Sequence, residues 1–129
     1  KGGLGALDLV KQAKATLEQA IKVDPTALDG SAYTSLGALY YQVPGWPVGF
    51  GDDEQAEVLL KKALTMNPDG IDPNYFYGDF LFREERYAEA DVALGKALKA
   101  PDRPGREVAD SGRRAEAKAL LVKVRSKLD

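Results

Sequence analysis

The sequence predicts an all-α chain built by stacking helical hairpins, on three observations. One spacing recurs: Ala13, Leu17, Ala20 and Pro25; Ala56, Leu60, Ala63 and Pro68; Ala90, Leu94 and Ala97, with Pro101 one residue early. Alanines seven apart with a leucine between them share one helix face, and only a face of small residues lets a neighbouring helix approach closely. The proline then ends the helix. Glycines at 37 and 78 stand inside helical patterns, where each costs about 1 kcal/mol relative to alanine. Each therefore marks a place where Ala56 or Ala90 is expected to come close. No stretch carries the signal of a strand.

The residues upstream of the alanines complete a signature. Tyr33, Leu36, Gly37 and Tyr40 precede Ala56, while Tyr77, Gly78 and Leu81 precede Arg86, Tyr87 and Ala90. With these residues the chain resembles the tetratricopeptide repeat (TPR) family, whose unit of 34 residues is a helix, a turn and a second helix at this spacing. The resemblance implies a bacterial protein with one domain over residues 1–129. Its helical hairpins would be antiparallel and stacked in a right-handed superhelix, with two full repeats, a leading half-repeat and a C-terminal capping helix.

Taken in order, residues 1–29 supply only the second helix of a first repeat, from about Leu7 to Val23. Lys1 already falls where the middle of its first helix belongs, and the first residue is not Met. A processed or excised piece is the expectation. Residues 30–70 form a repeat that exceeds the family length by seven residues, all within the insertion 42–53. Asp52 followed by Gln55 has the form of a capping box, so the helix carrying Ala56 starts near Asp53. Asp69 and Gly70 make the next turn. Residues 71–104 form a repeat of standard length, in which Asp72 is the expected cap and Pro73 the first helical residue of the segment Tyr75 to Arg83. After it, the first helix has shrunk to Pro104 to Asp110. Residues 105–129 are a capping helix in which Gly112, Arg114, Ala117, Leu121 and Val124 repeat the second-helix spacing. Asp110 or Ser111 is its expected cap, and Lys and Arg sit beside the negative end of its dipole near Lys127.

Composition narrows the chemistry. The chain has 129 residues, enough for one continuous core. Cysteine and histidine are both absent, which excludes disulfides, thiol chemistry, histidine-based triads and zinc sites of the usual kinds. No apolar run is long enough to span a membrane. The net charge of −2 is uneven: from Lys99 onward there are nine Lys and Arg against five Asp and Glu, a local +4, and the remainder carries −6. Overall negative charge, with no basic stripe interleaved with aromatics, argues against nucleic acid. Asn67, Asp69 and Asp72 fall short of a calcium loop because no distal Glu follows at the required spacing. Asp52, Asp53 and Glu54 crowd a helix start, where negative charge is favoured anyway. No catalytic residue, cofactor or metal is expected.

The insertion reads Gln-Val-Pro-Gly-Trp-Pro-Val-Gly-Phe-Gly-Asp-Asp and holds the only Trp. Its prolines and glycines preclude regular structure, yet Val43, Trp46, Val48 and Phe50 are too apolar for an idle loop. Trp46 and Phe50 either fold back over the open end of the hairpin or form an aromatic lip for a bound segment. The TPR resemblance implies a concave groove lined by Ser31, Thr34, Ala38, Tyr41 and Gln42 and by Asp72, Tyr75, Asp79, Phe82 and Arg83. Thr34, Ala38, Tyr75 and Asp79 offer no cation where the co-chaperone class grips a carboxylate, so that mode is not expected. Arg103, Arg106, Arg113 and Arg114 could fix an anionic group bidentately, but the favoured expectation is that they bridge to carboxylates of the preceding hairpin, for example Glu84, Glu85 or Glu89, and hold the cap.

The expected function is a scaffold or adaptor that binds another protein or peptide. Its candidate residues are Tyr41, Trp46, Phe50, Tyr75, Asp79, Phe82 and Arg83. Two alternatives stand beside it. One is a small-molecule or lipid carrier of a bacterial envelope transport system, with a closed apolar pocket bounded by Trp46, Phe50 and Tyr41. The other is a homo-oligomer that meets through an N-terminal stripe of Leu4, Leu7, Val10, Leu17 and Ile21. The chain itself is expected to be soluble; its composition leaves the compartment open, with the exported bacterial envelope or periplasm favoured over the cytoplasm.

Overall fold

The computed structural model describes residues 2–129, with side chains from residue 5 onward. Lys1 and the side chain of Leu4, both invoked above, lie outside the described residues. Among the described residues there are six α-helices and no strand. They are α1 (Gly2–Val23), α2 (Ser31–Gln42), α3 (Asp53–Met66), α4 (Ile71–Arg83), α5 (Tyr87–Lys99) and α6 (Glu107–Leu128). The chain divides into two compact units, Lys1–Met66 and Asn67–Asp129, with three helices in each.

In the first unit α2 and α3 pack antiparallel. Gly30 at the start of α2 faces Met66 at the end of α3, Gly37 faces Leu60, and the Asp52 N–H donates to the Tyr40 carbonyl at 2.9 Å. Ala56, Leu60 and Ala63 are all buried. A Cβ on Gly37 would sit 2.8 Å from Leu60 Cγ and 3.3 Å from the Ala56 carbonyl oxygen. The glycine is there because two helix axes meet too closely for a methyl group. α3 begins as expected, the Gln55 N–H donating to Asp52 Oδ1 at 3.1 Å.

α1 starts five residues before the expected Leu7 and, among the helices, packs chiefly on α2. None of its described residues is buried. Ala13 and Ala20 are exposed and Leu17 is half-buried, so the alanines of this copy of the motif, unlike those of the later two, are not buried against a neighbour. A short turn, Ala27–Gly30, leads into α2 with Leu28 and Asp29 in the left-handed region at φ 51° and 56°.

The second unit repeats the arrangement. Ala90, Leu94 and Ala97 are buried, and a Cβ on Gly78 would lie 2.7 Å from Leu94 Cγ. The close approach at Gly78 is thus to the leucine of the motif, not to Ala90. Phe80 and Leu81 are buried in the α4–α5 hairpin, and Ala117, Leu120, Leu121 and Val124 are buried on α6, which packs on both α5 and α4.

Two helix starts differ from expectation. α4 begins at Ile71 with Gly70 at its cap, which leaves Asp72 inside the first turn. Asn74, 2% exposed, secures that start by donating its amide to the carbonyls of Pro68 and Gly70, both at 2.9 Å. The expected short helix Pro104 to Asp110 and the capping helix are one element: α6 runs unbroken from Glu107, with Arg106 at its cap and Asp110 in its first turn. Both aspartates are bonded by arginines instead, Asp72 by Arg113 and Asp110 by Arg103.

Candidate functional site

Within the first unit the insertion is an ordered loop. The Gly51 N–H donates to Pro44 O at 2.9 Å, and the Val48 and Gly49 N–H groups both donate to Gly45 O, at 3.1 and 3.2 Å. A Cβ at Gly51 would overlap the Val43 carbonyl oxygen, so the loop closes only because that residue has none. The Trp46–Pro47 peptide bond at its tip is cis.

This loop separates the two aromatics that the sequence treats together. Phe50 folds back, its ring edge-on to Tyr40 at 5.5 Å between centroids. The Lys14 ammonium of α1 lies 5.7 Å from the Phe50 centroid and 5.9 Å from that of Tyr40, a pair of cation–π contacts that ties α1 to the loop. A 3.0 Å bond to Glu18 raises the pKa of Lys14. Trp46 does not fold back: it is 90% exposed. Tyr41 is buried, as are Thr34 and Ala38, so these positions present no open groove wall.

Beside the loop lies a cavity of ≈ 380 Å³. Ala6, Leu7 and Val10 of α1 form one wall, Val43, Pro44 and Val48 the other, and Gln42 is the polar member of the lining. It differs from the pocket expected for a carrier, since Trp46, Phe50 and Tyr41 are not part of its lining. Leu7, Val10, Leu17 and Ile21 of the N-terminal stripe are half-buried. Sequence alone flags Leu7, Val10, Val43 and Val48 as apolar, but only tertiary folding brings the end of α2 and the loop against α1.

In the second unit Tyr75, Asp79 and Phe82 share one face of α4, being four and then three residues apart. All three are half-buried, and Arg83 at the end of the helix is exposed. Asp79 pairs with Arg83 at 3.4 Å. Tyr75 meets Phe76 edge-on at 5.1 Å and Phe82 tilts against Tyr87 at 5.8 Å. Burial, with the Asp79 carboxylate adding to it, raises the pKa of the Tyr75 phenol.

Arg103, Arg113 and Arg114 bridge to carboxylates, and in the preceding hairpin the partner of Arg103 and Arg113 is Asp72 of α4. Arg113 of α6 donates to Asp72 Oδ1 at 3.0 Å, and its guanidinium covers Tyr75 and Phe76 at 5.0 and 4.6 Å from their centroids. Arg103 engages Asp110 through Nε at 2.8 Å, through its backbone N–H at 2.9 Å and through Nη2. Its Nη1 also lies 3.5 Å from Asp72. Arg114 reaches Asp102 at 2.7 Å and the Ala100 carbonyl at 2.8 Å. Those bonds hold the Asp110 carboxyl below the usual aspartate range and push Arg103 up. The geometry is that of a strap across the second unit, with Arg103, Arg113 and Arg114 each paired to a carboxylate.

Among the described residues no cluster of acidic side chains is arranged to hold a metal ion, and no helix is long and apolar enough to cross a membrane. Compared with protein-family models and with curated proteins, the chain matches none.

Proposed function

We propose that the protein is a non-enzymatic binding module of TPR type, whose second unit takes a segment of another protein along α4. The observation that carries this reading is the face of α4. Tyr75, Asp79 and Phe82 lie along it partly open to solvent, with Arg83 at its end. Half-buried aromatics on a packed helix offer contact area at low cost in side-chain entropy, as anchors for a bound segment do. Tyr41 drops out because it is buried in the first unit's own core.

Affinity capture with the intact chain, repeated with Tyr75→Ala combined with Phe82→Ala, tests the reading. The double variant is first shown by circular dichroism to keep its helix content. Partners captured by the wild type and lost with the variant support binding on α4. Identical partners on both baits would place the interface elsewhere.

A further inference from the structure

We infer that the protein pairs with a second copy of itself through its first unit, Trp46 of each copy entering the cavity beside the other copy's loop. The knob is Trp46, 90% exposed on a loop braced by its own backbone hydrogen bonds. The socket is the ≈ 380 Å³ cavity walled by Leu7 and Val10 on one side and by Val43, Pro44 and Val48 on the other. Pro44 and Val48 flank Trp46 two residues away on either side, yet the indole forms no part of the lining. Its own ring does not fill the socket beside it.

Knob and socket side by side on one loop are what an isologous interface requires. A two-fold axis between two such loops delivers each Trp46 to the other's socket, and the two contacts are the same contact. The chemistry matches as well as the shape. The walls suit the indole's apolar body, and the side-chain carbonyl of Gln42 offers an acceptor for its N–H. The braced loop loses little freedom on docking.

Area sets the strength. Two indoles hide about 400 Å², and with a similar area of socket wall the interface totals roughly 800–1,000 Å². That is the low end for a specific interface and fits a transient dimer rather than an obligate one.

Sedimentation across about 1 µM to 1 mM, read together with the emission of the only Trp, decides it. The expected result is a monomer–dimer equilibrium in which emission shifts to shorter wavelength in step with dimer mass. Each Trp46 removed should weaken pairing about 30-fold, so Trp46→Ala, with both lost, weakens it about 1,000-fold and is monomeric throughout. Ala6→Phe, which plugs the socket and leaves the knob, should also be monomeric, with water-exposed emission. Mixed together, the two variants regain one of the two insertions and form a weaker heterodimer. A wild type that stays monomeric at every concentration overturns the inference. So does a dimer indifferent to Trp46→Ala, or an already blue-shifted emission in the dilute monomer. If the fluorescent probe anilinonaphthalene sulfonate binds a persistent monomer and is excluded by Ala6→Phe, the cavity is a small-molecule site instead.

Discussion

Asp110 shows how much one buried charge asks of its neighbours. At 1% exposure its carboxylate has left water, and three donors of Arg103 replace the lost hydration. The two ends of this pair differ. Arg103→Ala strands a charge inside the second unit and should cost about 2–3 kcal/mol. Asp110→Ala leaves a guanidinium that still reaches Asp72 and solvent, plus one orphaned N–H, and should cost about 1–2 kcal/mol. Urea unfolding of the two variants measures the order, and equal losses would contradict it. The pH dependence follows from the lowered folded-state pKa. The contribution of Asp110 is full above the unfolded aspartate value, about 3.9, and is lost as pH falls through the lower folded value. The stability gap between wild type and Asp110→Asn should therefore be constant near neutrality and shrink below about pH 4.

Helix by helix, the close contacts at Gly37 and Gly78 outweigh intrinsic helix preference. Alanine would favour either helix by about 1 kcal/mol, but its methyl has no room beside Leu60 or Leu94. Gly37→Ala and Gly78→Ala should each destabilise by about 1–3 kcal/mol. Gly95→Ala in α5, where a Cβ meets nothing within 4 Å, should stabilise by about 0.5–1 kcal/mol, and chemical denaturation of all three separates packing from propensity. The elements most legible in the sequence are those with local causes. α2, α3 and the burial of both later alanine faces follow from periodicity, from the Asp52 cap and from the glycines. Asp72 and Asp110 misled because a short carboxylate before a helical run reads as a cap, whereas arginines decide their roles, one of them 41 residues away. The socket was illegible for the same reason, being assembled from α1 and a distant loop. The order of the loop was legible from its apolar content, but not that Phe50 would turn inward and Trp46 outward.

Across the whole molecule, burial is uneven. α3 to α6 each bury at least four residues, while α1, at 22 residues, buries none of its described ones and rests on α2, the cation–π contacts of Lys14 and the socket wall. Local stability tracks such contacts. Amide hydrogen exchange of the monomer should therefore be fastest, among the helices, in α1, and slowest in the buried stretches of α4 and α5. Uniform protection across all six helices would show that α1 has a partner in solution. Charge follows a related division: the basic excess after Lys99 falls in the second unit, where Arg103, Arg113 and Arg114 are all matched to carboxylates. Asn67–Asp129 as a whole holds twelve Lys and Arg against twelve Asp and Glu, so that unit is neutral and a poor attractor for anions despite the local +4 of its last stretch.

The paired glycine–leucine contacts have a modular consequence. Gly37 meets Leu60 and Gly78 meets Leu94 in the same way, although the first pair spans seven more residues than the second. The extra length is spent wholly in the loop, and the helices keep their register. That joint is therefore a place where the chain can change length without retuning the helices, provided the closure at Gly51 and the Phe50 contact on Tyr40 are kept.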